Sequence, residues 1–129
     1  MSSIEKLGFI GLGVMGGRMC RNLMAKSGKP VVGYDIDASR ISILAEQGLI
    51  AASSVADVVA QVDMLFICVP GEPQVREVAF SENGLVASAR SGQTIIDMTT
   101  ATVEVNRELA AALAEKGADF ADAPVARGV

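Results

Sequence analysis

Between Leu7 and Asp35 the chain has few ways to fold. The run Leu7-Gly8-Phe9-Ile10 is apolar and gives way to glycines at positions 11, 13 and 16. A stretch with helical spacing follows from Val14, and a second apolar run, Val31-Val32-Gly33-Tyr34, closes on Asp35 about two dozen residues after the first glycine. Strand, glycine turn, helix, strand and acid in that order form the signature of a βαβ unit that holds a dinucleotide. Gly11 permits the tight turn out of the strand, Gly13 lets the backbone approach a pyrophosphate, and Gly16 lets helix and strand pack closely. The start of the helix then offers unpaired N–H groups and a positive dipole end to the phosphates, so no lysine is required there. Asp35, at the tip of the second strand, can accept hydrogen bonds from the adenosine ribose hydroxyls.

The rest of the composition narrows the alternatives. A chain of 129 residues makes one domain, 1–129, with room for a proper core. Hydrophobic residues make up 50% but aromatic ones only 4%, so that core must be built from Ala, Val, Ile, Leu and Met, as suits helices on a buried parallel sheet. A net charge of −4 argues against a nucleic-acid partner and against a basic membrane-binding face. Cys20 and Cys68 are not spaced as a metal or redox pair, and no metal site is expected. The absence of histidine removes Ser-His-Asp and Cys-His catalysis and leaves hydroxyls, carboxylates, Lys and Arg. The opening Met1-Ser2-Ser3-Ile4-Glu5-Lys6 lacks the layout of a signal peptide, and no apolar run approaches bilayer length, so a cytoplasmic protein is expected.

Along the chain, strands alternate with helices. Val14 to about Lys26 is an amphipathic helix with Met15, Met19 and Leu23 on one face, a stripe read as core. A helix opening at Asp37-Ala38-Ser39-Arg40 turns Ile41, Leu44 and Ala45 inward and stops at Gly48; Leu49–Ala52 is a short strand. Ser53 or Ser54 caps the helix containing Val55, Val58 and Val59. Met64-Leu65-Phe66-Ile67-Cys68-Val69-Pro70 is a continuous apolar run stopped by proline, read as a central strand buried on both faces. Helix from Gln74 to about Phe80, one turn at Leu85-Val86, strand Thr94–Asp97, helix Val103–Lys116 and a sixth strand over Ala118–Ala121 complete the pattern. Such alternation predicts an α/β fold of Rossmann type: a doubly wound, mostly parallel sheet in a three-layer αβα sandwich. Ligands of such sheets bind outside the carboxyl ends of the strands, where Gly11-Gly13, Asp35, Val69-Pro70, Thr99-Thr100 and Asp122–Gly128 should gather.

Here the sequence resembles the β-hydroxyacid dehydrogenases, the group containing 3-hydroxyisobutyrate dehydrogenase and tartronate semialdehyde reductase. The resemblance rests on Gly8-Phe9-Ile10-Gly11-Leu12-Gly13, Met15-Gly16, Asn22-Leu23, Val69-Pro70, Glu82-Asn83-Gly84, Ile96-Asp97, Thr99-Thr100 and Asp122-Ala123-Pro124-Val125. It implies hydride transfer between a nicotinamide cofactor and the hydroxyl carbon of a small 3-hydroxy acid. Family positions that touch the cofactor fall on Leu12, Gly13, Val14, Met15, Asp35, Val69, Pro70, Gln74 and Thr100, and join Gly11 and Gly16 of the glycine motif in the cofactor site. Thr100 could equally be a helix N-cap, and the two roles can coexist. Where the family continues with Ser-Gly-Gly, this chain has Ala126-Arg127-Gly128, which resembles the variant in sulfolactaldehyde reductase. That departure implies an anionic hydroxy acid or aldehyde, a sulfonate included, met by Thr100, Arg127 and Gly128, the planar fork of arginine being suited to oxyanions.

By the same resemblance, the family's catalytic lysine lies beyond Val129, on a helix of an all-helical carboxyl-terminal domain. Lys6, Lys26, Lys29 and Lys116 fall at the start of a strand and at helix ends, and no catalytic residue is assigned here. The resemblance therefore implies an amino-terminal domain of a longer, homo-oligomeric enzyme, inactive alone. Asp35 favours NAD over NADP, whose added phosphate it would repel. Two other functions are compatible with the same residues: an imine or carbonyl reductase, and a non-catalytic dinucleotide-binding module.

Overall fold

The computed structural model describes residues 5–99 and 103–123. Twelve elements alternate in order: β1 (Leu7–Ile10), α1 (Val14–Ser27), β2 (Val31–Tyr34), α2 (Ala38–Ala45), β3 (Ile50–Ala51), α3 (Val55–Gln61), β4 (Met64–Ile67), α4 (Glu72–Phe80), α5 (Leu85–Ser88), β5 (Thr94–Asp97), α6 (Val103–Glu115) and β6 (Asp119–Asp122). The strands form one sheet in the order β3-β2-β1-β4-β5-β6, and all five pairings are parallel. Right-handed crossovers dictate the rest: two steps outward from β1 put α1 and α2 on one face, and the return to β4 puts α3 to α6 on the other.

Local chemistry sets the ends of these elements. Gly28 leaves α1 in the left-handed conformation at φ 69°, which a side chain would resist. Asp37 caps α2 by accepting from the Ser39 N–H, and of the two candidate serines it is Ser54 that caps α3, accepting from the Asp57 N–H at 3.0 Å. The fourth helix starts two residues earlier than its periodicity suggests, with Pro73 in its first turn, where a missing N–H costs nothing. Ala45, expected to face inward, is exposed; Leu44 alone in α2 is fully buried because so short a helix meets the sheet along one line.

Two cores result. The rear one joins Ile10, Val32, Leu65, Ile67 and Ile95 of the sheet to Val58, Val75, Leu85, Leu109 and Leu113 of the helices. The front one joins Leu7, Phe9 and Val31 to Cys20 and Leu44. The front core stops short: it contains no residue of β5 or β6, and Ile96 and Met98 are half-buried. That corrects the reading of β4 as buried on both faces. Leu65 and Ile67 are buried behind it while Met64 and Phe66 are only half-covered in front, because α1 and α2 serve the β1–β3 half of the sheet.

One polar contact fixes the corner between α3 and β4. Gln93 is buried, and its amide donates to the Val59 and Val62 carbonyls at 2.8 and 2.9 Å while its oxygen accepts from the Arg90 N–H. The Arg90 guanidinium donates to the same two carbonyls. These carbonyls close α3, and unpaired they would be costly to bury.

Candidate functional site

The glycine turn between β1 and α1 is shaped by how closely backbone meets backbone. Gly11 has φ +100°, and a Cβ there would overlap the Cys68 carbonyl oxygen at the end of β4. A Cβ on Gly16 would overlap the Gly11 carbonyl oxygen. The first turn of α1 is thereby pressed onto the turn and onto β4, with no room for side chains between them. Gly13 is the N-cap of α1; it supplies no side-chain hydrogen bond, and the first helical turn holds no acidic residue. The leading N–H groups of α1 are thus left for an anion.

Asp35, just past β2, is 7% exposed. Its Oδ2 accepts from the Leu12 N–H at 2.7 Å and its Oδ1 from the Asp37 N–H at 2.8 Å, so the carboxylate braces the glycine turn from the neighbouring strand. Each oxygen retains a lone pair for a further donor such as a ribose hydroxyl. The guanidinium of Arg40 lies 3.8 Å from both Asp35 and Asp37, and its Nη1 is the nearest atom, at 3.4 Å, to where a Gly13 Cβ would stand.

Above the carboxyl ends of β1, β2 and β4 lies a cavity of about 890 Å³. Gly11, Gly13, Val14, Met15, Gly16, Asp35, Val69, Pro70 and Gln74 all line it, although they come from three separate stretches of the chain. Leu12 does not. Its side chain is buried in the front core and only its N–H serves the site, because the turn alternates its residues between cavity and core. Thr100, Arg127 and Gly128 lie outside the described residues, and so does Val129, beyond which the resemblance puts the catalytic lysine. The methionine stripe divides: Met19 packs on the front core, whereas Met15 is half-exposed on the cavity wall.

The cavity also contains residues that sequence reasoning missed. Tyr34 and Ile36 flank Asp35 and could have been found from that adjacency; Ile36 is 91% exposed, an apolar side chain held against open space. Val55 and Val78 carry no local signal, since only the assembled fold brings α3 and α4, which both pack on α5, to the same rim. Glu77 and Glu82 add two carboxylates to that of Asp35, against Arg40 as the one cation among the described residues that line the cavity.

The two cysteines differ in environment. Burial pushes the Cys20 thiol up to about 12 from 9.0; Cys68, half-buried on the cavity wall, is also raised, by burial first and then by the charge of Asp97. A raised acid favours the neutral thiol in the fold, so the stability owed to Cys20 is whole below pH 9 and is lost as pH climbs towards about 12. Alkylation at pH 8 should leave Cys20 unlabelled until the chain unfolds, read by mass spectrometry. Labelling of Cys20 in the folded chain at the rate of a free thiol would contradict its burial. Among the described residues, no group of three or more Cys, Asp or Glu could hold a metal ion, and no helix is long and apolar enough to cross a membrane.

An uncapped helix start, a glycine turn without room for side chains and a carboxylate at the next strand, all facing one cavity where the strand order reverses, define a dinucleotide-binding domain. Comparison with known proteins makes this specific. Residues 6–129 match the family described as the NAD binding domain of 6-phosphogluconate dehydrogenase. The chain belongs to that family, and its relatives place it among the NAD-binding domains of β-hydroxyacid dehydrogenases. It is 38% identical over 129 residues to mitochondrial 3-hydroxyisobutyrate dehydrogenase of Mus musculus, covering 100% of this chain and 38% of that protein. It is 36% identical over 127 residues to 2-hydroxy-3-oxopropionate reductase of Escherichia coli (strain K12), covering 95% of this chain and 41% of that protein. A solved structure described as Psf3 in complex with NADP+ and 2-OPP superposes with a TM-score of 0.88 at 33% identity, covering 95% of this chain and 43% of that one. The chain thus spans about two fifths of the length of the curated relatives it matches.

Proposed function

We propose that this domain holds NAD as the cofactor half of an enzyme that moves hydride between the nicotinamide and the hydroxyl carbon of a small anionic 3-hydroxy acid or the matching aldehyde. The observation that carries the cofactor part is the continuity of one cavity from Asp35, past the open start of α1, to Val69 and Pro70. The adenosine ribose would meet Asp35, the pyrophosphate the N–H groups from Gly13 onward, and the nicotinamide half the far side of the strand-order reversal, beyond β4. Bound NAD supplies the hydride acceptor. The chain's own residues bind and orient it, and the apolar walls of Val14, Met15, Val55 and Val69 exclude water.

The substrate part rests on the relatives, whose names specify small hydroxy acids and their oxidised forms, and on the resemblance that assigns Thr100, Arg127 and Gly128 to the substrate. None of Lys6, Lys26, Lys29 and Lys116 lines the cavity, and proton transfer is assigned to the lysine that the resemblance puts beyond Val129, on a second, helical domain. A cytoplasmic, homo-oligomeric enzyme completes the proposal.

The test is calorimetry of the 129-residue chain with NADH, beside an assay with 3-hydroxy acids and sulfonates. The expected result is weak binding and no turnover. Folded protein that takes up no NADH at millimolar concentration would reject the cofactor site, and measurable turnover by this chain alone would reject the need for a second domain.

A further inference from the structure

Two buried polar side chains at the end of β5 are left without a role in the cofactor reading. Asp97 is fully buried and Thr99 is 2% exposed. The β4–β5 ladder ends with the Met98 N–H donating to the Ile67 carbonyl at 2.8 Å. One residue later no backbone acceptor takes over: the Val69 N–H donates instead to Thr99 Oγ1, at 3.0 Å. Thr99 is held in turn, its own N–H donating to Asp97 Oδ1 at 2.9 Å, with its hydroxyl bearing on the same carboxyl. Among the described residues, Oδ2 of Asp97 has no hydrogen-bond partner, and burial pushes the carboxyl up against the opposing pull of Thr99. Such a group is costly to bury, so its retention calls for an account.

Where the link ends supplies one. Val69 lines the cavity, and one of its methyl carbons is 3.1 Å from where a Gly11 Cβ would stand, so Val69 closes directly on the glycine turn at the reversal of strand order. We propose that Asp97 and Thr99 are positioning residues: Asp97 sets Thr99, and Thr99 Oγ1 sets the Val69 N–H, which keeps the Val69-Pro70 corner against Gly11 as the floor beneath the nicotinamide half of the cofactor. The inference rests on the cofactor reading above. Asp97 and Thr99 touch no cofactor in this account; they act through Val69.

The test exploits the two halves of NADH. Binding of NADH and of ADP-ribose, which lacks the nicotinamide, is measured on the parent chain, Thr99→Val and Thr99→Ser, with the emission of bound NADH recorded as a probe of the ring's surroundings. Removing one buried acceptor should weaken NADH by about five- to tenfold in Thr99→Val and shift its emission, while ADP-ribose changes by less than about twofold. Thr99→Ser keeps the oxygen and should match the parent. Should Thr99→Val fail to fold, Thr99→Ala removes the same oxygen and carries the same expectation. Equal loss of both ligands, or no loss of either, overturns the positioning role and leaves the cofactor site standing. A parent chain that binds neither ligand overturns the cofactor reading and this inference with it.

Discussion

Gly11→Ala is expected to leave little folded protein. Two penalties fall on the same atom. The φ of +100° is one that a residue with a Cβ resists, at about 1–2 kcal/mol. The new methyl would also overlap the Cys68 carbonyl oxygen, a backbone atom at the end of a central strand that cannot rotate away. Overpacking of that kind adds about 1–3 kcal/mol or more. A total of about 2–5 kcal/mol is a large part of the ~5–15 kcal/mol that holds a domain of this size. Gly48 is the control: its φ is +112°, yet nothing lies within 4 Å of a Cβ there, so Gly48→Ala should show the conformational penalty alone. Urea unfolding of the two variants separates the effects. Equal losses at both positions would mean that the approach to Cys68 contributes nothing.

Asp35→Asn is expected to narrow the preference for NADH over NADPH by about tenfold or more. The parent should prefer NADH because the added phosphate of NADPH, carrying about two charges, would enter beside Asp35. Unit charges ~4 Å apart repel by roughly 4 kcal/mol at an effective dielectric near 20, and solvent and salt reduce that severalfold. Tenfold discrimination needs only about 1.4 kcal/mol. Glu77 and Glu82 on the cavity wall and Asp37 beside the turn act in the same sense, while Arg40 at 3.8 Å opposes them. Asparagine suits the test because it removes the charge and keeps one acceptor, which can still take the Leu12 N–H of the glycine turn, although the Asp37 N–H then loses its acceptor. Dissociation constants for the two cofactors, at low and high salt, measure the effect. An unchanged ratio in Asp35→Asn would remove Asp35 as the discriminator.

The βαβ unit and the alternation of elements are legible in the chain because both are local. Apolar runs of strand length, helical spacing from Val14 and a glycine triplet each express constraints acting over a few residues, and the structure follows them to within a residue or two. Even Asp35 is found by counting, because one helix and two short strands fix the distance from Gly11 to the next strand tip. The identity of Gly11 and Gly16 is likewise readable, although the reason for it, the Cys68 carbonyl pressed against the turn, comes from a strand more than fifty residues away.

What the residues could not show depends on which strands become neighbours. The run Met64–Val69 reads as wholly buried, yet Phe66 is half-covered, since hydrophobicity records a preference and only the layout of α1 and α2 decides which half of the sheet's front face is covered. Gln93 looks like one polar residue in a turn, and only the fold sets it under the last carbonyls of α3, some thirty positions earlier. The same holds for Val55 and Val78 at the cavity rim and for the link from Asp97 through Thr99 to Val69. By itself the sequence determined that this chain builds a dinucleotide turn with an acid at the second strand, because those constraints are short-range backbone geometry. Tertiary structure alone decided what closes around that turn, because a hydrogen bond such as that from Val69 to Thr99 exists only once β4 and β5 lie side by side.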